Sequence, residues 1–341
     1  MPANTQNWFE RKTADTWQCT LCPHQCVLRD NTVGRCRVRA VQHGKPVDLS
    51  YGHISAQQLD PIEKKPLYHF RPGSLVYSIG GYGCNFRCAF CQNWQIAQST
   101  TQQSEPYRPS DIVAAALRSE ATGIAYTYNE PIISHAFVYD TAVCAHEAGL
   151  CNVLVTNGYI QEAPATSLLT VMDAINLDIK SMDDRFYRTH CGGQLPPVLA
   201  FAQQAHAAHV HMEITNLLIP GLNDSLPQIA QLAEWIAQQL SPETVLHISA
   251  YHPAYEMQAP ATNAYSVRQA REQAKKHLQH VYCGNIPEGG NSQDTDCSTC
   301  GNVLITRQHW RTRIVGLTEK GNCQVCGTHS HIRLAPKQVM S

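Results

Sequence analysis

This chain of 341 residues has almost no net charge, −1, so no long-range field draws it to nucleic acid or an anionic bilayer. It has no run of about 18 or more apolar residues, which excludes a helical membrane span. Met1-Pro2-Ala3-Asn4-Thr5-Gln6 offers no basic stretch followed by an apolar one, so a secretory signal is not expected and a cytoplasmic setting is. Low-complexity tracts are missing, and nothing repeats beyond two Cys-x-x-Cys-Gly turns near the C-terminus. Charged residues are sparse at 16% against 43% hydrophobic, so a sizeable core can be buried.

Cysteine, by contrast, is plentiful, with fifteen residues. In a reducing compartment these are thiols or metal ligands rather than disulfides. Eleven fall into three groups: Cys19, Cys22, Cys26 and Cys36; Cys84, Cys88 and Cys91; and Cys297, Cys300, Cys323 and Cys326. Cys144, Cys151, Cys191 and Cys283 are scattered, as buried small hydrophobes usually are.

Between the outer groups, six apolar runs read as strands: Leu75–Gly80, Gly123–Tyr128, Cys151–Asn157, Ala174–Lys180, Val210–Ile219 and Val245–Tyr251. Most are rich in Val, Ile and Tyr and nearly continuously apolar, as strands covered on both faces are. Helical stretches alternate with them: Ile112–Glu120 after Ser110-Asp111, Ile133–Ala148 after Pro131, and Leu226–Leu240 after Asp224-Ser225. Strand–helix alternation implies parallel βαβ units. Six units without an obvious seventh and eighth give an α/β fold, an open, partial (β/α)6 TIM-like barrel with chemistry at the C-terminal strand ends. Residues 1–50 read as a cysteine-rich metal-binding module, 51–285 as the barrel core and 286–341 as a zinc-ribbon-like module, with Pro287–Asp296 as a linker.

Gly80-Gly81-Tyr82-Gly83-Cys84-Asn85-Phe86-Arg87-Cys88-Ala89-Phe90-Cys91 follows the first strand. Three thiolates on one tight loop can wrap three irons of a [4Fe–4S] cube and leave the fourth iron open. The alternative is a zinc site completed by a distant ligand. Gly81 and its neighbours let backbone approach the cluster or its ligand closely. The glycines do not continue into a dinucleotide-binding pattern. In the N-terminal group, four thiolates, or three with His24, can close a metal site, and a short polar segment needs such a staple. Zinc and a second iron–sulfur cluster both fit that spacing. The C-terminal pair of Cys-x-x-Cys turns, enclosing strand-like Asn302–Arg307 and Arg311–Val315, signals a zinc ribbon, with rubredoxin-type iron as the alternative. His309-Trp310-Arg311 stands without a wider basic stripe, so nucleic acid is not an expected partner.

The central loop resembles the radical S-adenosylmethionine (SAM) superfamily, whose signature is Cys-x3-Cys-x2-Cys with an aromatic residue, here Phe90, before the last cysteine. The resemblance implies that the open iron binds the amino and carboxylate groups of SAM. One-electron reduction then yields methionine and a 5′-deoxyadenosyl radical that abstracts hydrogen from a substrate. It implies further that Asn129 and Glu130, in Thr127-Tyr128-Asn129-Glu130-Pro131, hold the SAM amino group. Asn157, in Val155-Thr156-Asn157-Gly158, and Asp178 and Lys180, in Asp178-Ile179-Lys180, match segments of pyruvate formate-lyase activating enzymes. There the lysine lies near the SAM carboxylate. Val155 stands where those enzymes have an Asp that helps hold a monovalent cation. Glu213, with His211, alternates so as to point into the barrel, and His252 is a candidate for contact with adenosine or substrate. Cys191 is a candidate source of a thiol or hydrogen atom for a substrate radical.

From about residue 17 to 329 the chain is similar to the radical SAM member of the AmmeMemoRadiSam system. The shared segments are Cys-x-Leu-Cys-Pro-His-x-Cys, Gly-Cys-Asn-Phe-x-Cys-x-Phe-Cys-Gln-Asn, Thr-Tyr-Asn-Glu-Pro, Ile-Pro-Gly-Leu-Asn-Asp, Tyr-His-Pro-Ala-Tyr and the terminal zinc-ribbon-like cysteines. That similarity implies AMMECR-like and Memo-like partners and a one-electron donor such as flavodoxin or ferredoxin. It names no substrate. An activase that makes a glycyl radical on a protein, and a non-catalytic metal-binding interaction protein, are the competing readings.

Overall fold

A computed structural model describes residues 8–99, 105–287, 292–308 and 311–336. His309 and Trp310 lie outside the described residues, as do residues 288–291 of the expected linker. Among the described residues no helix is long and apolar enough to cross a membrane.

The N-terminal segment forms two small antiparallel sheets. One holds β1 (Phe9–Arg11), β2 (Trp17–Cys19) and β3 (Val27–Leu28); the other holds β4 (Thr32–Val33), β5 (Arg39–Gln42) and β6 (Lys45–Asp48). Strands this short bury little by themselves. Cys19, Leu21 and Cys22 join the main core, and Cys36 and Val38 pack on Ile133 of the barrel.

The centre is one eight-stranded sheet. Its strands are β7 (Ala56–Pro61), β8 (Leu75–Gly80), β9 (Gly123–Tyr126), β10 (Cys151–Thr156), β11 (Ala174–Asp178), β12 (His211–Leu218), β13 (Val245–Ala250) and β14 (Val281–Gly284). They lie in chain order from β7 to β14; β7 pairs antiparallel with β8 and every other neighbour is parallel. All six expected strands are therefore present, and the count is corrected by one strand at each edge. β14 is only four residues long, and β7 reads Ala-Gln-Gln-Leu-Asp-Pro with Gln57 and Gln58 exposed. Neither carries the apolar run that reveals a strand buried on both faces.

The helices are α1 (Trp94–Ala97), α2 (Pro109–Arg118), α3 (His135–Glu147), α4 (Glu162–Leu169), α5 (Asp184–Phe186), α6 (Leu195–Ala207), α7 (Leu226–Gln239) and α8 (Ala264–Ala274), with a π turn at Tyr187–Cys191. α7 starts as expected, with the Ser225 N–H and hydroxyl both donating to the Gln228 Oε1 at its N-terminus. α2 starts earlier than expected, because Pro109 supplies the fixed φ of a first helical residue.

The β7–β8 connection turns under the barrel, where Ile62, Leu67 and Phe70 pack with Val76, Ala125, Val153 and Ala174. The C-terminal module, β15 (Thr295–Asp296), β16 (Val303–Gln308) and β17 (Arg311–Ile314), docks on this same connection. Arg307 donates to the Tyr68 carbonyl at 2.7 Å, and the Arg333 and His69–Arg71 backbones exchange hydrogen bonds. The C-terminal module thus meets the barrel at the N-terminal strand ends, and the N-terminal module meets it at the C-terminal ends.

Candidate active site

The loop after β8 carries Cys84, Cys88 and Cys91. Asn129, just beyond β9, holds its start: the Asn129 Oδ1 accepts from the Gly81 N–H at 2.9 Å, and its Nδ2 donates to the Gly83 carbonyl at 3.0 Å. Asn85 is fully buried; its Nδ2 donates to the Tyr159 carbonyl and its Oδ1 accepts from Asn157 Nδ2 at 2.9 Å. Asn157 Nδ2 also stands 3.9 Å from Cys84 Sγ, and the Phe86 N–H points at that sulfur from 3.3 Å. On its far side the loop is pinned by the π turn, where the Arg87 and Ala89 N–H groups donate to the Cys191 and His190 carbonyls. Ala89 in turn accepts from the Glu256 N–H, and Tyr255 stacks on Trp94 at 5.2 Å. Four segments therefore fix three thiols at the C-terminal end of the barrel.

Burial pushes the Cys84 thiol well above its ordinary range, and raises Cys91 to about 11. Cys88 is held below its ordinary value, chiefly by Cys191 at its side, and a bound metal displaces the protons of the other two thiols. Asn157 and the Phe86 N–H are the donors that such a sulfur accepts. The donor set fits an iron–sulfur cluster.

Lys180 follows β11 and is almost buried. Burial opposes its charge, but Asp178 at 3.0 Å and the nearby cysteines outweigh that and hold its pKa well above the ordinary value. Its backbone N–H donates to Tyr187 Oη, and its carbonyl accepts from Asn223 and Asn216. A fixed cation with donors to spare beside the cluster loop suits an anionic ligand. Cys191 is fully buried and lies against Cys88, with burial raising its thiol.

Glu130 is turned inward. It accepts from the Ile132 N–H, Thr156 Oγ1 and the Asn157 N–H, and burial lifts its carboxyl to about 7. These bonds tie the end of β9 to the end of β10. Asn129 and Glu130 thus shape the rim through the backbone, and their polar atoms are largely engaged there. His252 is exposed just past β13.

Glu213 is corrected. It is the third residue of β12, in register with Asn176 and Val245, below the rim. Its fully buried carboxylate accepts from the Tyr68 and His69 N–H groups and from His211 and His247, at 2.7–3.0 Å. It knits the bottom plug to the strands and has no acceptor site left for a cofactor. Alternation identified its inward face correctly but not its depth. Asn85, Tyr187, Asn216 and Asn223 were missed. Asn85 stood next to Cys84 in the loop, which was the one available signal.

The C-terminal foursome is compact. Cys297 and Cys326 Sγ are 3.6 Å apart, and Cys300 and Cys323 Sγ are 3.7 Å apart. All four ligand atoms lie within 4.8 Å of one another, a set able to hold a metal ion.

A model of the radical SAM superfamily matches residues 78–233, spanning the cluster loop and the strand ends around it. The chain carries a radical SAM domain, the domain of a superfamily of enzymes. It is 38% identical over 326 residues to an uncharacterized protein of Methanocaldococcus jannaschii, MJ0808, covering 94% of this chain and 96% of that one. It is 24% identical over 159 residues to the pyruvate formate-lyase 1-activating enzyme of Escherichia coli K12, over 45% of this chain and 65% of the relative. A radical SAM methyltransferase structure from Sphaerobacter thermophilus shares the fold, with a TM-score of 0.52 at 14% identity over 69% of this chain and 71% of that one.

Proposed function

We propose that this enzyme holds a [4Fe–4S] cluster on Cys84, Cys88 and Cys91, binds SAM at its open iron, and abstracts hydrogen from a substrate. The observation that carries the reading is the loop itself: three cysteines fixed by Asn129, Asn85 and the π turn, with the Lys180 ammonium beside them. When bound, the cluster and SAM supply a one-electron cleavage to methionine and a 5′-deoxyadenosyl radical. The chain's own residues do the rest. Lys180 pairs with the SAM carboxylate, Asn157 supports the Cys84 sulfur, and the buried Phe90 ring lies under the Lys180 ammonium. A flavodoxin- or ferredoxin-type protein provides the electron, and AMMECR-like and Memo-like proteins are the partners.

The test is anaerobic reconstitution followed by reduction and measurement of 5′-deoxyadenosine and methionine. Product in the native chain and none in Cys88→Ala supports the reading; no product from an intact cluster refutes it. The similarity to the Escherichia coli activating enzyme favours a second reading, generation of a glycyl radical on a protein, which spin resonance of a candidate partner would reveal. For the C-terminal module we read zinc: four sulfurs about 2.3 Å from one tetrahedral ion lie about 3.8 Å apart, close to the spacing here.

A further inference from the structure

We infer that Cys19, Cys22, Cys26 and Cys36 hold a second iron–sulfur cluster, not zinc, and that it passes electrons to the SAM cluster through Cys84.

All four are free thiols, and three of them are buried. The fold gathers them. β2 ends at Cys19, whose N–H donates to the Cys26 carbonyl at 2.9 Å; the Gln25 N–H returns to the Cys22 carbonyl at 3.0 Å. The Arg35 N–H points at Cys26 Sγ from 3.5 Å, and Cys36 follows directly. Cys22 lies within electrostatic reach of the other three. Four thiols gathered at one end of a short polar segment are a ligand set for a metal centre, the staple such a segment needs.

The spread of the sulfurs selects the centre. A single tetrahedral zinc gathers its four sulfurs to about 3.8 Å from one another, and the C-terminal foursome comes close to that, with two pairs at 3.6 and 3.7 Å. Among the described residues that foursome alone has its ligand atoms all within 4.8 Å. The N-terminal group is wider, and so is the Cys84, Cys88 and Cys91 loop, which serves a multi-iron cluster. The two groups share the looser arrangement that ligands around an iron–sulfide core need. His24, the alternative fourth ligand, directs its Nε2 to the Asn85 carbonyl at 2.8 Å.

The placement gives the second cluster its role, a part of the inference that rests on the proposed function. The Cys36 carbonyl packs so tightly on Gly83 that an added Cβ there would run into it. The His24–Asn85 bond touches the loop on the other side of Cys84. Both N-terminal contacts therefore flank one ligand of the SAM cluster. One electron enters the N-terminal cluster from a flavodoxin- or ferredoxin-type donor and leaves it for the SAM cluster, with no bond made or broken.

The experiment compares the full-length native chain with Cys22→Ser/Cys26→Ser, both purified anaerobically, by iron, zinc and acid-labile sulfide content. The variant is expected to lose about two or four irons with an equal number of sulfides, as a [2Fe–2S] or [4Fe–4S] core demands. Loss of zinc without sulfide, or no loss of metal, overturns the inference. Should the variant fail to fold, the reduced native protein decides by spin resonance. Two coupled signals, one shifted by SAM and one not, support the inference; a single SAM-responsive signal overturns it. Two clusters in a chain that does not cleave SAM would refute the proposed function and leave the second cluster standing.

Discussion

Replacing Glu213 tests whether the barrel's lower polar layer is structural. Its carboxylate is fully buried and accepts four hydrogen bonds, two from backbone N–H groups of Tyr68 and His69 and two from the His211 and His247 rings. A hydrogen bond to a charged group contributes about 1.5–3 kcal/mol, so four orphaned donors would simply sum to about 6–12 kcal/mol, above nearly all single-site effects. They are not additive: His211 is 11% exposed, and water can enter the hole that Glu213→Ala leaves. A loss of about 4–5 kcal/mol is expected, the size associated with breaking one partner out of a buried charge pair. Against a total stability of about 5–15 kcal/mol, much of the protein would be close to unfolding. Glu213→Gln keeps the shape but turns an amide NH2 toward two donors, and should cost about 2–3 kcal/mol. The assay is anaerobic urea unfolding followed by circular dichroism, with iron counted in the folded fraction. The sign of the pH dependence is set by the same contacts. Burial raises this carboxyl, but the His211 and His247 bonds dominate and hold it well below its ordinary value. The unfolded chain then binds more protons in acid, so the stabilisation is present above about pH 4.3 and is lost as pH falls through the folded value. Glu213→Gln should remove that acid dependence. A Glu213→Ala protein within about 1 kcal/mol of the native one, with reduced SAM binding, would refute the structural assignment and restore a cofactor role.

Other perturbations address the rim and the modules. Glu130 is lifted to about 7 by burial, so the folded chain holds a proton that the unfolded chain releases near its ordinary value. Stability should fall by up to about 3 kcal/mol as pH rises from about 4.5 through 7, and Glu130→Gln should flatten that slope in unfolding curves. Gly83→Ala places a Cβ against the Cys36 carbonyl at a residue with φ +80°, so the N-terminal segment should be pried from the cluster loop, with faster proteolysis within residues 8–50 and a thermal midpoint lowered by several degrees. Cys300→Ser should release one metal ion per chain while leaving the iron at Cys84, Cys88 and Cys91, because the C-terminal module docks at the opposite end of the barrel; parallel loss of cluster iron would contradict that separation.

Six strands were legible because most are apolar runs buried on both faces, as the wholly buried Val245–Ala250 illustrates. β7 was hidden by its glutamines and β14 by its brevity. At the site, residues bound along one short loop were found directly. Asn129 and Glu130 were found as rim residues, yet their bonds run to Gly81, Gly83, Thr156 and Asn157. Those partners are 26 or more residues distant in sequence and become neighbours only when adjacent strands pair.

The sequence by itself determined the cluster loop, because three cysteines within eight residues reach one centre whatever surrounds them. It determined the parallel barrel as well, since buried runs alternating with amphipathic helices have few ways to pack. Only the tertiary structure decided which inward-facing residues meet the reacting end. Inward positions recur every second residue along a strand, so Glu213 and Lys180 look alike until the depth of each strand is set by its neighbours. It also decided that the N-terminal cysteines stand beside Cys84 and the C-terminal ones at the far end, since docking of short segments depends on the surfaces the barrel presents.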